Sequence, residues 1–249
     1  MARMARVVVP GVPHHVTQRG NRRQATFFRE GDYQTYKLLV AQWCQSEGVE
    51  VWAYCLMPNH VHLIVVPSTE RSLRAAISEI HRRYTVMVNT RKGWRGCLWQ
   101  GRFFSFPMAP GHLFNGARYV ELNPVRSGLV DRAEDWPHSS ARAHLAGCSD
   151  GIVEPQALLE RLGDWRALLS LDASQDSIEE IRRHVRTGRP FGDEGFLDRL
   201  ETTTGRRLRP LKRGRKPRES TAPCVAPRHL EPPSRPPDRQ RESPSVQCR

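Results

Sequence analysis

Cysteine is sparse and unpatterned: six residues at positions 44, 55, 97, 148, 224 and 248, with no C-x-x-C pair. No Cys/His spacing matches a zinc finger. A disulfide-stapled scaffold is therefore excluded, and reduced thiols in a cytoplasmic protein are expected. No apolar run approaches the about 18 residues that mark a membrane-spanning helix. The opening "MARMARVVVPG" has too short an apolar run for a signal peptide. A G-x-x-x-x-G-K-[ST] phosphate loop is missing too, so no nucleotide cofactor is expected. Internal repeats are absent, and negative charge is scarce. Lys+Arg number 39 against 26 Asp+Glu, a formal net charge of +13. That surplus fits a polyanionic partner, nucleic acid ahead of an anionic membrane.

What is present divides into three parts. Residues 1–130 alternate strand and helix patterns. "VPHHVTQR" (12–19) reads as a strand leading to the basic turn "GNRRQ". "GDYQTYKLLVAQWCQSEG" reads as a helix with Asp32 as cap, a face of Tyr36, Leu39, Val40 and Trp43, and Gly48 as stop. "VEVWAYCLM" and residues 60–66 form a hairpin around Pro58-Asn59. A long helix follows over 68–93, with Ser68 or Thr69 as cap and Gly93 as stop. "LWQGRFFSFPM" (98–108) is a further strand. "GHLFNGARYVELNP" is a short helix ending near Asn123, ahead of Pro124. The order β-α-β-β-α-β-α predicts an α+β fold, a ferredoxin-like antiparallel sheet with helices packed on it. Residues 131–205 read as a helical extension in short pieces. Residues 206–249 carry 13 Lys/Arg, 4 Asp/Glu and nine of the 19 prolines, and are expected to be a disordered basic tail.

Two histidines interrupt the apolar strand "HVHLIVV". Strand alternation points His60 and His62 to one side and Val61 and Leu63 to the other. Imidazoles two apart can converge on one metal ion and leave most of its coordination sphere open, as a catalytic ion needs. Equally, two such histidines can simply hydrogen-bond on a half-exposed strand. On the short helix, Leu113, Ala117 and Val120 share an apolar stripe, while Asn115, Tyr119 and Asn123 fall on a polar one. A tyrosine there is either a surface ring or a nucleophile toward phosphorus, for which a nearby divalent cation makes the phosphate more electrophilic.

"MPNHVHLIV" followed by "RYVELNPVRSGLV" resembles the HUH single-strand transposases with one catalytic tyrosine, and most closely their REP-associated branch. "PHHVTQRGNRRQATFF", "LWQGRFFSFP", "AEDWPHSSARAHLAG" and "RPFGDEGFLDRLE" carry the same likeness, over roughly residues 8–218. The resemblance implies that residues 1–130 are the catalytic domain, with the H-x-H on a central strand. It also implies a Mg²⁺ or Mn²⁺ cofactor and cleavage of single-stranded DNA near REP-like hairpins. By that likeness His60 and His62 are metal ligands, Tyr119 is the nucleophile, and Asn123 stands at the third ligand, a glutamine in related insertion-sequence enzymes. A monomer is implied rather than a dimer.

Two segments look suited to DNA. "RKGWRGCLWQGRFF" interleaves Arg91, Lys92, Arg95 and Arg102 with Trp94, Trp99, Phe103 and Phe104. Cations follow phosphates, and aromatic faces stack on unpaired bases. "TQRGNRR" adds Arg19, Arg22 and Arg23 as a basic turn. Two other readings use the same residues: a domesticated hairpin-DNA binder that does not cut, and a metallohydrolase that uses the histidine pair with water. Tyr84 is the alternative nucleophile, without the polar stripe.

Overall fold

A computed structural model describes residues 5–171 and 174–210. The described residues form one compact unit. The expected tail falls largely on 211–249, outside the described residues. Its first five residues are built into the compact unit instead: Leu208 is buried in a small cluster with Val7, Val9 and Phe196. Arg209 pairs with Glu194, Asp198 and Glu201.

The first part runs β1 (His14–Arg19), α1 (Glu30–Ser46), β2 (Val49–Met57), β3 (His60–Pro67), α2 (Ser72–Lys92), β4 (Phe104–Pro107), α3 (Pro110–Glu121) and α4 (Asn123–Arg126). All strand pairs are antiparallel and lie in the order β2-β3-β1-β4. That is the ferredoxin-like arrangement expected. Alternation on β3 splits the core in two. Val61, Leu63 and Val65 pack under α1 and α2, whereas Ile64 and Val66 pack under α3.

Boundaries differ where local signals compete. Asp32 does not cap α1 from its N-cap position. It sits in the first turn, accepts the Phe28 N–H at 2.8 Å, and holds Arg91 from α2. α2 begins at Ser72, whose N–H bonds Thr69 Oγ at 3.1 Å, and ends at Gly93 in a left-handed conformation (φ 65°). The strand expected over 98–108 shrinks to four residues. Gly96 and Gly101 adopt φ of 92° and 105°, and Gly101 breaks the run between Gln100, which bonds the Arg19 carbonyl, and Phe104, where β4 pairs with β1. Pro124 lies in the first turn of α4, where a missing N–H costs nothing.

The extension comprises α5 (Ala141–Ala146), α6 (Gln156–Leu162), α7 (Trp165–Ser170), α8 (Gln175–Thr187) and α9 (Glu194–Thr204). Leu158, Trp165, Leu168, Ile178 and Ile181 join the core beneath α3. The extension also occupies both edges of the sheet. At β2, Leu56 N–H bonds His138 O at 2.8 Å and Ser140 N–H bonds Tyr54 O at 3.0 Å. At β4, Ala109 N–H bonds Phe191 O at 2.7 Å and Phe191 N–H bonds Pro107 O at 2.9 Å. These bonds occupy the end of β2 next to the hairpin and the end of β4, and make those stretches less open to a foreign strand.

Candidate active site

His60, His62 and Ile64 share one face of β3. Their partners across β1 are Arg19, Thr17 and His15. The imidazole centroids of His60 and His62 lie 5.0 Å apart. Burial lowers the His60 pKa to about 4, helped by the positive charge of Arg19. Burial also drives His62 well below the ordinary histidine value, with His60, His15, Arg126 and Arg19 adding to it. Both rings are therefore neutral near pH 7, the state in which imidazole offers a lone pair.

A hydrogen-bonded chain sets the proton on His60. Asn59 Nδ2 donates to the carbonyl of Arg23 at 3.2 Å. That fixes the amide, so Oδ1 accepts from His60 Nδ1 at 2.6 Å. With its proton on Nδ1, His60 keeps Nε2 for a ligand. The acceptor carbonyl belongs to a turn in which Arg22 and Arg23 both adopt positive φ, 52° and 61°. Such angles cost a non-glycine residue about 1–2 kcal/mol each. Gly20 N–H to Asn59 O (2.8 Å) ties this turn to the hairpin. Asn59→Leu removes the acceptor, and metal affinity should fall roughly 10–100-fold in a Mn²⁺ titration.

Tyr119 comes to the same face from α3. Its ring lies edge-on to His62 (centroids 5.8 Å) and to His15 (6.1 Å). Arg126 from α4 stands over the ring at 4.4 Å and donates to the Tyr119 carbonyl. Arg182 from α8 lies close enough to the phenol for the two side chains to interact. The polar stripe thus does not leave Tyr119 at the surface: it is 9% exposed, because α8 lies over it and Ile178 and Ile181 line the same small space. Asn115 stays exposed, while Asn123 is buried with its side-chain nitrogen unpartnered. Among the described residues no three His, Cys, Asp or Glu side chains converge on one point. The donor set expected from the sequence for a divalent ion is two imidazoles and an amide. The free Nε2 of His60 and the unpartnered amide end of Asn123 suit that set, since amide orientation is interchangeable by a flip.

The basic residues separate by position. Arg22 and Arg23 are exposed on the turn, and Arg19 is half-buried beside His60. The 98–102 segment adjoins them through Gln100 N–H to Arg19 O at 2.9 Å and Asn21 N–H to Leu98 O at 2.8 Å. Arg102 lines a groove of about 730 Å³ with Arg74, Arg82 and Trp99. Lys92, Trp94 and Arg95 are exposed, with Trp94 edge-on to Phe28 at 5.5 Å. Arg91 is committed internally to Asp32, whose side chain is fully enclosed. Trp99 and Phe103 belong to the core. His15, Asn59, Arg126 and Arg182 were not legible as site residues. Only the doubled histidine of "PHHV" hinted at one of them.

A family description of IS200-like transposases (Y1_Tnp) matches residues 9–123, which span β1 through Asn123. The chain is similar to IS200-like transposases over that segment. Two relatives named as REP-associated tyrosine transposases align with it. The Haemophilus influenzae protein is 28% identical over 116 residues, 42% of this chain and 66% of its own length. The Escherichia coli protein is 23% identical over 115 residues, 46% of this chain and 67% of its own length. A solved REP-associated tyrosine transposase bound to a REP hairpin is similar in fold. Its TM-score is 0.52 and its identity 22%, covering 61% of this chain and 90% of that one. The matched segment contains His60, His62, Tyr119 and Asn123, whereas Arg126 and Arg182 lie beyond its end. Among the described residues, no helix is long and apolar enough to cross a membrane.

Proposed function

We propose that this protein is a metal-dependent single-strand DNA endonuclease and strand transferase acting beside REP-like hairpins through a 5′-phosphotyrosine. The observation that carries the reading is the meeting of Tyr119 with His62 at 5.8 Å between rings, from separate elements. His60 and His62 through Nε2, with the Asn123 amide oxygen, would hold Mg²⁺ or Mn²⁺. When bound, the ion supplies Lewis acidity to a non-bridging phosphate oxygen. Tyr119 Oη attacks phosphorus, the bond to the 3′ oxygen breaks, and the phenol proton leaves with that oxygen. A second 3′-hydroxyl then attacks the phosphotyrosine and releases the phenol. One ester is exchanged for another, so no nucleotide cofactor is required. Arg126 and Arg182 beside the phenol balance the charge of the attached phosphate. A strand reaches the phenol once α8 has moved aside.

The hairpin assignment draws on the relatives' names and on the basic turn beside His60. Occupied sheet edges favour a monomer. One observation favours the second reading, a hairpin binder that does not cut: the phenol is covered by α8. Labelled hairpin DNA with a flanking single strand, incubated with Mn²⁺, separates the two. A shifted species surviving denaturation supports cleavage, and retention without any adduct supports the binder.

Arg91 and Trp94 make a contrasting pair on this surface. Trp94→Ala should weaken single-strand binding by about 1–3 kcal/mol without lowering the melting temperature. Arg91→Ala should do the reverse, removing about 1.5–3 kcal/mol of stability through its bonds to Asp32. Filter binding and thermal melting of both variants check this.

A further inference from the structure

We propose that His15 is a positioning residue that decides which nitrogen of His62 is offered to the cation. The proposal rests on the metal reading above. His15 reaches His62 diagonally across the β1–β3 ladder. The rings are stacked at 5.1 Å with 17° between planes, and His15 Nε2 lies 2.9 Å from His62 Nδ1. Phe106 and Tyr119 close two further sides edge-on, at 5.2 and 6.1 Å. His15 is 1% exposed, and its other nitrogen, Nδ1, is buried without a partner.

A neutral imidazole has one N–H and one lone pair. One hydrogen bond joins the two rings, so only two proton arrangements exist. In the first, His62 donates from Nδ1 to His15 Nε2, His62 Nε2 keeps its lone pair, and the His15 proton sits on the orphaned Nδ1. In the second, His15 donates from Nε2, the His62 proton moves to Nε2, and that nitrogen is closed to a cation. Cation binding therefore selects the first arrangement and leaves a buried N–H of His15 unsatisfied. His60 has no such ambiguity, since its partner Asn59 presents an oxygen that can only accept. The two proposed ligands are thus set differently, one by an oxygen that only accepts and one by a neighbouring ring that can either accept or donate.

The test uses the full chain without DNA. Mn²⁺ affinity is read by titration with EPR detection, and the His62 tautomer by ¹⁵N–¹H NMR of the metal-free protein. His15→Phe keeps an aromatic ring but removes the acceptor, and should lose roughly 10–100-fold in Mn²⁺ affinity. His15→Gln offers an amide oxygen near the former Nε2 that can accept from Nδ1. It should restore affinity to the wild-type level or above and hold His62 as the Nδ1–H tautomer. Affinity within twofold of wild type in His15→Phe overturns the proposal. Equal losses in both variants, with equal falls in melting temperature, also overturn it, since they reduce His15 to packing. Absence of any Mn²⁺ binding by the wild type sinks the metal reading instead. The NMR arm then decides alone: an unchanged His62 tautomer in His15→Phe rejects the coupling, and a changed one upholds it.

Discussion

Tyr119→Phe is expected to abolish the denaturation-resistant protein–DNA adduct, by at least about three orders of magnitude, while hairpin binding persists. The substitution removes one oxygen and keeps the ring that packs against Arg126 at 4.4 Å and His62 at 5.8 Å. The fold should therefore survive, and an unchanged melting temperature is the control. No other tyrosine stands ready to substitute. Tyr84 donates to the Thr26 carbonyl at 2.8 Å and lies in the cluster beneath α1 and α2, on the opposite side of the sheet. Burial pushes its phenol well above the usual value. Tyr36 and Tyr54 are held by His81 and Asp150, and Tyr33 is stacked between Phe27 and His138. Adducts persisting in Tyr119→Phe would remove the nucleophile from the proposal. Cleavage with free 5′-phosphate ends and no adduct would instead point to water activated at the histidine pair.

Glu121→Ala is expected to cost about 3–5 kcal/mol of stability, a melting shift of roughly 6–20 °C for a unit of this size. Glu121 is fully buried two residues beyond Tyr119 and accepts three hydrogen bonds. Ser140 Oγ donates at 2.5 Å, His144 Nδ1 at 2.6 Å and Trp165 Nε1 at 2.8 Å. Those donors come from the start of α5, from α5 itself and from α7, so one carboxylate ties three pieces of the extension to the helix that carries Tyr119. Removing it leaves three buried donors without their acceptor. Glu121→Gln keeps one oxygen and should fall between wild type and Ala. Thermal melting measures the loss, and limited proteolysis reports whether the segment after residue 131 loosens first. A melting temperature within a degree of wild type would show that the network contributes nothing.

The sequence locates the strands of the site and the helices α3 and α8, because their signals are local; α4, which carries Asn123 and Arg126, is not legible because Pro124 reads as a stop. Alternation in "HVHLIVV" separates His60 and His62 from Val61 and Leu63, and the structure keeps that separation. The fourth strand was read too long, since aromatic content outweighed Gly96 and Gly101 there. Arg91 was read as a phosphate contact because its charge is visible and its partner Asp32, 59 residues away, is not. Tyr119 was placed on a polar stripe correctly for α3 alone, yet α8 covers that stripe.

From its residues alone this chain was committed to a β-α-β-β-α-β layer with two histidines on one face of a central strand, because both properties follow from side-chain periodicity over a few neighbours. Only the tertiary structure decided that His15 meets His62, that Asn59 orients His60, that Arg126 and Arg182 flank the phenol, and that the extension covers both sheet edges. Each of those depends on strand register or on packing between distant segments. Such contacts are chosen by the burial of the whole unit, which no short stretch encodes.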